Sequence, residues 1–431
     1  MEDAARPPTN PTSSLRKQPH KNPTFTFPLL KNRSPNPSTE PLQGRSPNPP
    51  PTMAPPPIFR TQDELLEEIF FRLTTAADLA SASAACAPFR RLITDHGFLR
   101  RYRALHPPPL IGVLDNGTLV PAQPPHPSAV AARAFAGFDF SCKSFLPTKS
   151  GRAWLQLDFL DGRALLAGVL ESDPAAMVLN RHQLLFSDIA VCDPVHRRYV
   201  LLPAVPCELT ALVPKHDLLH LEAFLAPGDD EEDPLSFRVM CLAQRRSNRV
   251  LLVSSSSLGG QWHSFTFDQH QGGLFGRQLV HGYFCWYSPF PKKLLLLDIH
   301  SIELSAVSLP PELRESYGFV IVEAAQGMLG MLTIVDGGDN EDGRALLKYS
   351  IPRNNQWHLE KFILLPVEHM YMLGVAGGYA LLATDCTTPS QGKRRFFSVD
   401  VKTLQVELFG EGSLGGELYS GFPPSLCAPT I

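Results

Sequence analysis

The spacing of apolar residues changes character once along the chain, close to residue 106. Between residues 58 and 106 the apolar side chains recur every three or four positions, which places them on one face of a helix. Beyond residue 110, apolar and polar residues alternate instead, for example at 155–159 and 397–401. This period of two is typical of strands. We therefore predict a small all-α module at 58–106, followed by a large all-β domain at 110–431.

Local signals divide the helical module into short helices. Thr61 lies three residues before Glu64, and Thr75 lies three residues before Asp78; each pair has the spacing of a capping box that starts a helix. Pro88 suits the first turn of a further helix, and three prolines at 107–109 end the module. With fewer than 50 residues, such a module has a marginal core and is more stable when a partner covers part of its apolar surface.

Turn signals and a loose repeat predict the architecture of the β domain. Asp-Gly pairs at 161–162, 336–337 and 342–343 favour hairpin turns. Leu-Pro recurs at residues 146, 202, 309 and 365, with separations of 56, 107 and 56, which fits a unit of about 53 residues if one copy has lost its mark. Chance is the alternative, because both residue types are common. Since an open sheet of this size would leave long edges exposed, we predict a β-propeller of about six blades.

The first 57 residues have a different composition from the rest of the chain. They contain sixteen of the 42 prolines and repeat Arg-Ser-Pro-Asn-Pro at 33–37 and 45–49. A segment with so few large apolar residues cannot bury a core, so we predict a disordered tail at 1–57. Its role could be that of a phosphorylatable Ser-Pro linker or an organelle transit peptide. We prefer a dispensable extension, because Met53 lies just five residues before the first predicted structured segment, which starts at residue 58.

Charge and cysteine usage narrow the functional classes. The tail carries seven Lys or Arg against three acids, so the rest of this protein of net charge −3 is acidic, at −7. An acidic body gives no electrostatic reason to bind nucleic acid or an anionic membrane. Eight cysteines are scattered singly, which favours reduced thiols in the cytoplasm or nucleus. Without a C-x-x-C, H-E-x-x-H or P-loop motif, we predict no cofactor and no metal.

The helical module resembles an F-box. The residues that carry the resemblance, in the order and spacing of that family, are Asp63 to Leu73, Asp78 to Cys86 and Phe89 to Ile93, and Phe98 to His106 resembles the tail that follows the F-box in many plant members. The family usually has Leu-Pro where this chain has Thr61-Gln62. Segments 193–203 and 282–298 are similar to the β-propeller-like domains that follow F-boxes in plants.

The resemblance implies a non-catalytic substrate receptor of an SCF-type (Skp-cullin-F-box) ubiquitin ligase. The F-box would bind a Skp-type adaptor and, through it, a cullin scaffold, while the β domain would bind an unknown target protein. We expect the docking face to comprise seven apolar residues, some of which must instead form the module's own core: Leu65, Leu66, Ile69, Phe70, Leu73, Leu79 and Phe89.

Three alternatives stay open. The helical segment could be a generic three-helix module that packs only against the rest of the chain. The protein could also be a propeller-fold enzyme or a carbohydrate-binding protein with an incidental helical preface; its site would then place buried, charge-perturbed polar residues at the central funnel. Finally, it could bind the adaptor and act as a structural bridge without promoting degradation.

Overall fold

A computed structural model describes the chain from residue 57 to residue 431, with gaps. The gaps are at 116, 171–180, 230–234, 269–272, 291, 311–312, 314–317, 325–326, 336–343, 355, 368, 385–393, 413–415 and 423–430. The predicted disordered tail therefore lies outside the described residues, except for Pro57, which is helical.

Four helices form the N-terminal module: α1 (Pro57–Phe71), α2 (Ala76–Ala85), α3 (Ala87–Ile93) and α4 (His96–Leu105). The predicted cap at Thr75 is confirmed, because its hydroxyl oxygen accepts a hydrogen bond from the backbone N–H of Asp78 at 3.1 Å. Pro88 lies in the first turn of α3, as predicted. The predicted start of α1 at Thr61 is wrong: the helix already begins at Pro57, a residue type whose fixed φ suits a first helical position.

The core of the helical module is aromatic and includes one residue from the far end of the chain. Phe70, Phe98 and Tyr102 are buried together, and Phe422, which follows the last strand, packs onto them. The ring centroids of Tyr102 and Phe422 are 6.2 Å apart. Burial, with a smaller contribution from the Asp78 charge, raises the pKa of Tyr102 to about 12. The module therefore shares its core with the β domain.

We predict that Phe422→Ala loosens the module without opening the β domain. Removing this buried ring should lower the local unfolding free energy of α4 by roughly 3 kcal/mol. Hydrogen exchange of the α4 amides should then accelerate, while exchange in the β domain stays at the wild-type rate. Phe290→Ala, at a position that is 75% exposed, serves as the control. Unchanged exchange in α4 would contradict the shared core.

The β domain is a six-bladed β-propeller of 23 described strands. Blade 1 contains β3 (Arg152–Leu160), β4 (Arg163–Leu170), β5 (Ile189–Asp193) and β6 (Arg198–Leu201). Blade 2 contains β7 (Leu218–Pro227), β8 (Phe237–Arg245), β9 (Asn248–Ser255) and β10 (Trp262–Asp268). Blade 3 contains β11 (Phe275–Val280), β12 (Tyr283–Pro289), β13 (Lys292–Asp298) and β14 (Leu304–Ser308). Blade 4 contains β15 (Phe319–Glu323), β16 (Leu329–Val335), β17 (Leu346–Arg353) and β18 (Gln356–Leu364). Blade 5 contains β19 (Met370–Ala376), β20 (Tyr379–Thr384), β21 (Arg394–Asp400) and β22 (Val406–Gly412).

Blade 6 joins the two ends of the β domain. It contains β1 (Leu110–Asp115), β2 (Thr118–Pro121) and β23 (Glu417–Ser420), in the order β2-β1-β23. The pairing of β1 with β23 is antiparallel and sets Leu114 opposite Glu417. Short helices occur between strands: α5 (Ala129–Arg133) before blade 1, α6 (Cys207–Thr210) between blades 1 and 2, and 3-10 turns at Cys142–Ser144 and Arg181–Phe186. The ring is thus closed by the pairing of β1, from the start of the β domain, with β23, from its end. Every blade therefore has a neighbouring blade on both sides.

The blades pack face to face, so their middle strands are buried on both sides. In β8, Val239 and Cys241 belong to the core shared with blade 1, whereas Met240 and Leu242 belong to the core shared with blade 3. The alternation of apolar and polar residues at 235–241 predicts a strand, and β8 confirms this prediction. Arg238 is buried and donates hydrogen bonds to the carbonyl oxygens of Pro227 and Ile299, because the propeller gives a middle strand no solvent face.

Two of the predicted sequence signals, the Asp-Gly turns and the Leu-Pro repeat, have clear structural roles. Asp161 and Gly162 have φ values of 49° and 78° and form the tight turn between β3 and β4, as predicted. The other two Asp-Gly pairs lie outside the described residues. The Leu-Pro pairs at 202, 309 and 365 each directly follow the outermost strand of a blade. The repeat therefore marks blade boundaries, and the predicted number of about six blades is confirmed.

His126 is the most enclosed histidine of the described chain. It lies between the rings of Tyr379 and Phe409, with centroid distances of 4.9 and 4.8 Å. Its Nδ1 accepts a hydrogen bond from the backbone N–H of Ser128 at 3.1 Å, so Nε2 carries the proton. Within the described residues Nε2 has no hydrogen-bond partner. Burial lowers the pKa of His126 from 6.5 to about 4.

No helix in the described part of the chain is both long and apolar enough to cross a bilayer.

We predict that this histidine makes stability fall as the solution is acidified. The unfolded chain takes up a proton near pH 6.5, whereas folded His126 does so only near pH 4. Stability that is fully present above pH 6.5 is therefore lost progressively down to about pH 4, by about 3 kcal/mol. In urea titrations across this range, His126→Asn should remove that slope and exposed His358→Asn should keep it. A wild-type slope in His126→Asn would refute the assignment.

Candidate functional site

Two of the predicted docking residues form an uncovered apolar pair on α1. Leu65 and Ile69 are 62% and 56% exposed. They are four residues apart, so they lie one turn apart on the same side of the helix. Around them Glu64 and Glu68 are exposed, and Glu68 pairs with Arg72 at 3.6 Å. We call Leu65 and Ile69 the α1 outer pair.

The other five predicted docking residues contribute to the module's interior. Phe70 and Leu79 are buried in its core, and Leu66, Leu73 and Phe89 are partly buried against it. The rings of Phe70 and Phe89 meet edge to face, with their centroids 5.1 Å apart. Leu66 and Phe70 lie on the inner side of α1, and Leu73 lies just beyond its end at Phe71. The apolar arc of α1 is therefore wider than the module's own core requires, since the α1 outer pair remains uncovered.

A cavity of about 540 Å³ lies within the propeller, and its lining comes mostly from the inner strands β3, β11, β15, β19 and β23. Its charged lining side chains are Asp158, Asp161, Arg277 and Glu417, and its apolar lining includes Phe159, Phe319, Met372 and Leu418. We call it the central cavity. A volume of this size lies within the roughly 300–1,000 Å³ that is usual for small-molecule sites.

Arg277 on β11 joins three blades at the wall of the central cavity. Its Nη2 donates to Asp158 Oδ1 on β3 at 2.7 Å, and its Nε donates to Glu222 Oε1 on β7 at 2.7 Å. The guanidinium also lies over the ring of Phe224, 4.6 Å from its centroid. Burial alone would lower the pKa of Arg277, but the Asp158 and Glu222 carboxylates outweigh burial and raise it. The guanidinium is therefore held as a permanent cation between two carboxylates.

The second oxygens of both carboxylates are also bonded. Asp158 Oδ2 accepts from the backbone N–H of Leu225 at 2.7 Å, and Glu222 Oε2 accepts from Trp286 Nε1 at 3.1 Å. These bonds fix the two carboxylates from the side away from Arg277. Asp158, Glu222 and Arg277, which we call the channel triad, are thus rigidly placed.

Glu417, at the start of β23, differs from the channel triad. Its side chain is accessible to solvent inside the cavity, and it makes no hydrogen bond or ion pair with any residue that the structure describes. Desolvation by the surrounding protein raises the pKa of Glu417. The nearby charges of Asp158 and Glu222 raise it further, whereas Arg277 lowers it. Glu417 is a carboxyl group in a place that disfavours its ionised form.

Sequence reasoning did not identify this cluster. The alternation at 155–159 predicts a strand but does not indicate that Asp158 is buried, at 4% exposure. A β-bulge between Gln156 and Asp158 breaks the alternation, and the inner strand faces the cavity rather than bulk water. One signal was present: single carboxylates interrupt otherwise apolar segments at Asp158 and Glu222. In the described part of the chain, no group of three or more His, Cys, Asp or Glu side chains could hold a metal ion.

We predict that Arg277→Leu destabilises the propeller strongly. It would leave the Asp158 and Glu222 charges enclosed without their cation, at a cost of about 3–5 kcal/mol. The melting temperature at pH 7 should fall, and lower pH should recover part of the loss as the carboxylates take up protons. Arg353→Leu, which breaks a pair whose arginine is 58% exposed, should cost no more than about 1 kcal/mol. Equal losses in the two variants would contradict the structural role of the channel triad.

Comparisons with known proteins found matches among solved structures alone. No protein-family model and no curated protein matches the chain. Among solved structures, it is similar to a chain of the nidogen–laminin complex, with 10% identity, a TM-score of 0.33, and coverage of 62% of this chain and 82% of that one. It is also similar to the β-propeller domain of the Trilobed protease from Pyrococcus furiosus, with 8% identity, a TM-score of 0.33, and coverage of 61% and 72%. For a prolyl endopeptidase the identity is 10%, the TM-score is 0.32 and the coverage is 62% of this chain but only 43% of that chain.

Proposed function

We propose that this protein is a non-catalytic substrate receptor of an SCF-type ubiquitin ligase. In this proposal the helical module binds a Skp-type adaptor, which joins a cullin scaffold, and the propeller binds a target protein. The observation that carries the proposal is the α1 outer pair: Leu65 and Ile69 are exposed on the helix whose Leu66, Phe70 and Phe71 pack into the module's core. Uncovered apolar side chains of this kind favour a partner surface.

The attachment of the module supports the same proposal. The module is held to the propeller through Phe422, whose ring lies against Tyr102 and under the guanidinium of Arg103, 5.3 Å from it. Both of these residues are on α4, so the attachment leaves the α1 outer pair free. A receptor needs such a fixed link, because it must hold a target at a defined position relative to the adaptor.

The propeller offers a separate region for the target. Phe422 follows the carboxyl end of the inner strand β23, and the module is attached there. The described residues 202–217 and 365–367, which lead toward the inner strands β7 and β19, lie at the opposite end of the ring. We propose that these connections bind the target. The free thiols of the described cysteines accord with a reducing compartment, and we propose the cytoplasm or nucleus as the site of action.

The first test is Ile69→Asp in an adaptor pull-down. A carboxylate at this position would be buried against the partner without a counter-charge, so adaptor binding should be lost, by at least tenfold in Kd. Because Ile69 is exposed, the variant should fold with the wild-type melting temperature.

The matched control is Leu359→Asp, which introduces the same change at a 46%-exposed apolar position on β18. This variant should bind the adaptor as the wild type does. If Ile69→Asp retains full adaptor binding, the α1 outer pair is not the docking site. If neither variant nor the wild-type chain binds the adaptor, the receptor proposal fails.

The second candidate is a propeller-fold enzyme or carbohydrate-binding protein, and the central cavity is the observation in its favour. General acid–base hydrolysis of glycosides uses two carboxyl groups that can act on the substrate. Asp158 and Glu222 are both committed to Arg277, which leaves Glu417 as the accessible carboxyl group beside them. This arrangement favours binding over hydrolysis, and we rank the enzyme second.

A further inference from the structure

The charges around the central cavity do not balance. Three carboxyl groups, Asp158, Glu222 and Glu417, surround one guanidinium, Arg277. The cavity walls contributed by β15 and β19 consist of uncharged residues. Asp161, also in the lining, interacts electrostatically with Arg163 and Arg103 rather than with the channel triad. The cavity is therefore acidic once Arg277 is taken into account.

This imbalance decides which sign of charge the cavity can accept. Arg277 already donates to both Asp158 and Glu222 at 2.7 Å, so its charge is neutralised and it cannot attract an anion effectively. Glu417, by contrast, has neither hydrogen bond nor ion pair with the described chain. An entering cation would supply the counter-charge that Glu417 lacks.

The apolar part of the lining decides the rest of the ligand's chemistry. Phe319, Met372 and Leu418 line the same cavity, and they would pack against a hydrocarbon stem but give nothing to a hydrated metal ion. Arg277 itself illustrates the fit, since its guanidinium is held there by carboxylates on its edge and by Phe224 on its face, at 4.6 Å.

We propose that the central cavity is a binding site for an organic cation, a guanidinium or alkylammonium group on an apolar stem, whose charge pairs with Glu417. A group kept where its ionised form is disfavoured lowers stability, and such costs are typical of functional positions. Two sources could supply the cation: a small free molecule, or a lysine or arginine side chain of a target protein. The second source rests on the proposed receptor function.

The test is calorimetric titration of the full chain at pH 7 with butylguanidinium and with butylurea, which has the same shape without the charge. Wild-type protein should bind butylguanidinium more tightly, by roughly ten- to hundredfold, because hydrogen bonds to charged groups are the strong ones. Glu417→Gln should remove this preference, and Glu417→Asp should keep part of it. Glu411→Gln, an exposed position on the outer strand β22, should bind as the wild type does.

Equal binding of the two compounds, unchanged binding by Glu417→Gln, or no binding of either compound would overturn the proposal. Glu417→Gln should melt no lower than the wild type, because it removes a disfavoured charge, and Glu417→Asp provides a second variant if it does not fold. Tighter binding of the blocked peptide acetyl-Gly-Gly-Arg-amide than of butylguanidinium would favour a target side chain as the source, and weaker binding would favour a free cation.

The same variants distinguish this proposal from the receptor function. Glu417→Gln should still bind the Skp-type adaptor, and Ile69→Asp should still bind butylguanidinium, because the two sites share no residue. Loss of cation binding in Glu417→Gln together with adaptor binding in all chains except Ile69→Asp would support both proposals. Cation binding without adaptor binding in the wild type would leave the cavity site standing and refute the receptor function.

Discussion

The pairing of β1 with β23 is the constraint on which the rest of the structure depends. A propeller buries its apolar residues between neighbouring blades, so each core exists only while the ring stays closed. Here the closing sheet combines strands from opposite ends of the domain, with Val113 opposite Leu418 and Leu114 opposite Glu417. The same register places Glu417 in the cavity wall and Phe422 in the helical module. The pairing of β1 with β23 therefore closes the ring, completes the wall of the cavity and positions the residue that attaches the module.

The inner strands contribute a second type of link, which is ionic. Neighbouring blades are also joined by apolar packing, which is not directional and permits small rotations between sheets. The channel triad fixes blades 1, 2 and 3 through short, charge-assisted hydrogen bonds. Gln278 performs a similar task for blades 3 and 4, since its amide accepts from the backbone N–H of Ile321 at 2.7 Å. Polar side chains near the axis thus define how the blades are set relative to one another.

Features that reside in short segments could be predicted from the sequence. The cap at Thr75, the turn at Asp161 and the Leu-Pro marks are local, and they correctly predicted a helical start, a hairpin and the blade repeat. The cavity and the channel triad could not be predicted, because their charged residues come from distant parts of the chain, among them β3, β7, β11 and β23, and meet only through the arrangement of the blades. A β-bulge beside Asp158 also interrupts the alternation there. Which apolar residues of α1 stay exposed depended likewise on tertiary packing, since Phe70 is buried in the core whereas Leu65 and Ile69 are exposed.

The position of Phe422 has a consequence for the order of biosynthesis. The helices that it completes are made first, yet their last core residue follows them by about 320 positions. On the ribosome, part of the module's aromatic interior therefore stays uncovered until nearly the entire propeller has been synthesised. Chaperones that recognise exposed aromatic surface would have a long interval in which to engage it. A chain interrupted anywhere before β23 would lack Phe422 and would leave that surface uncovered.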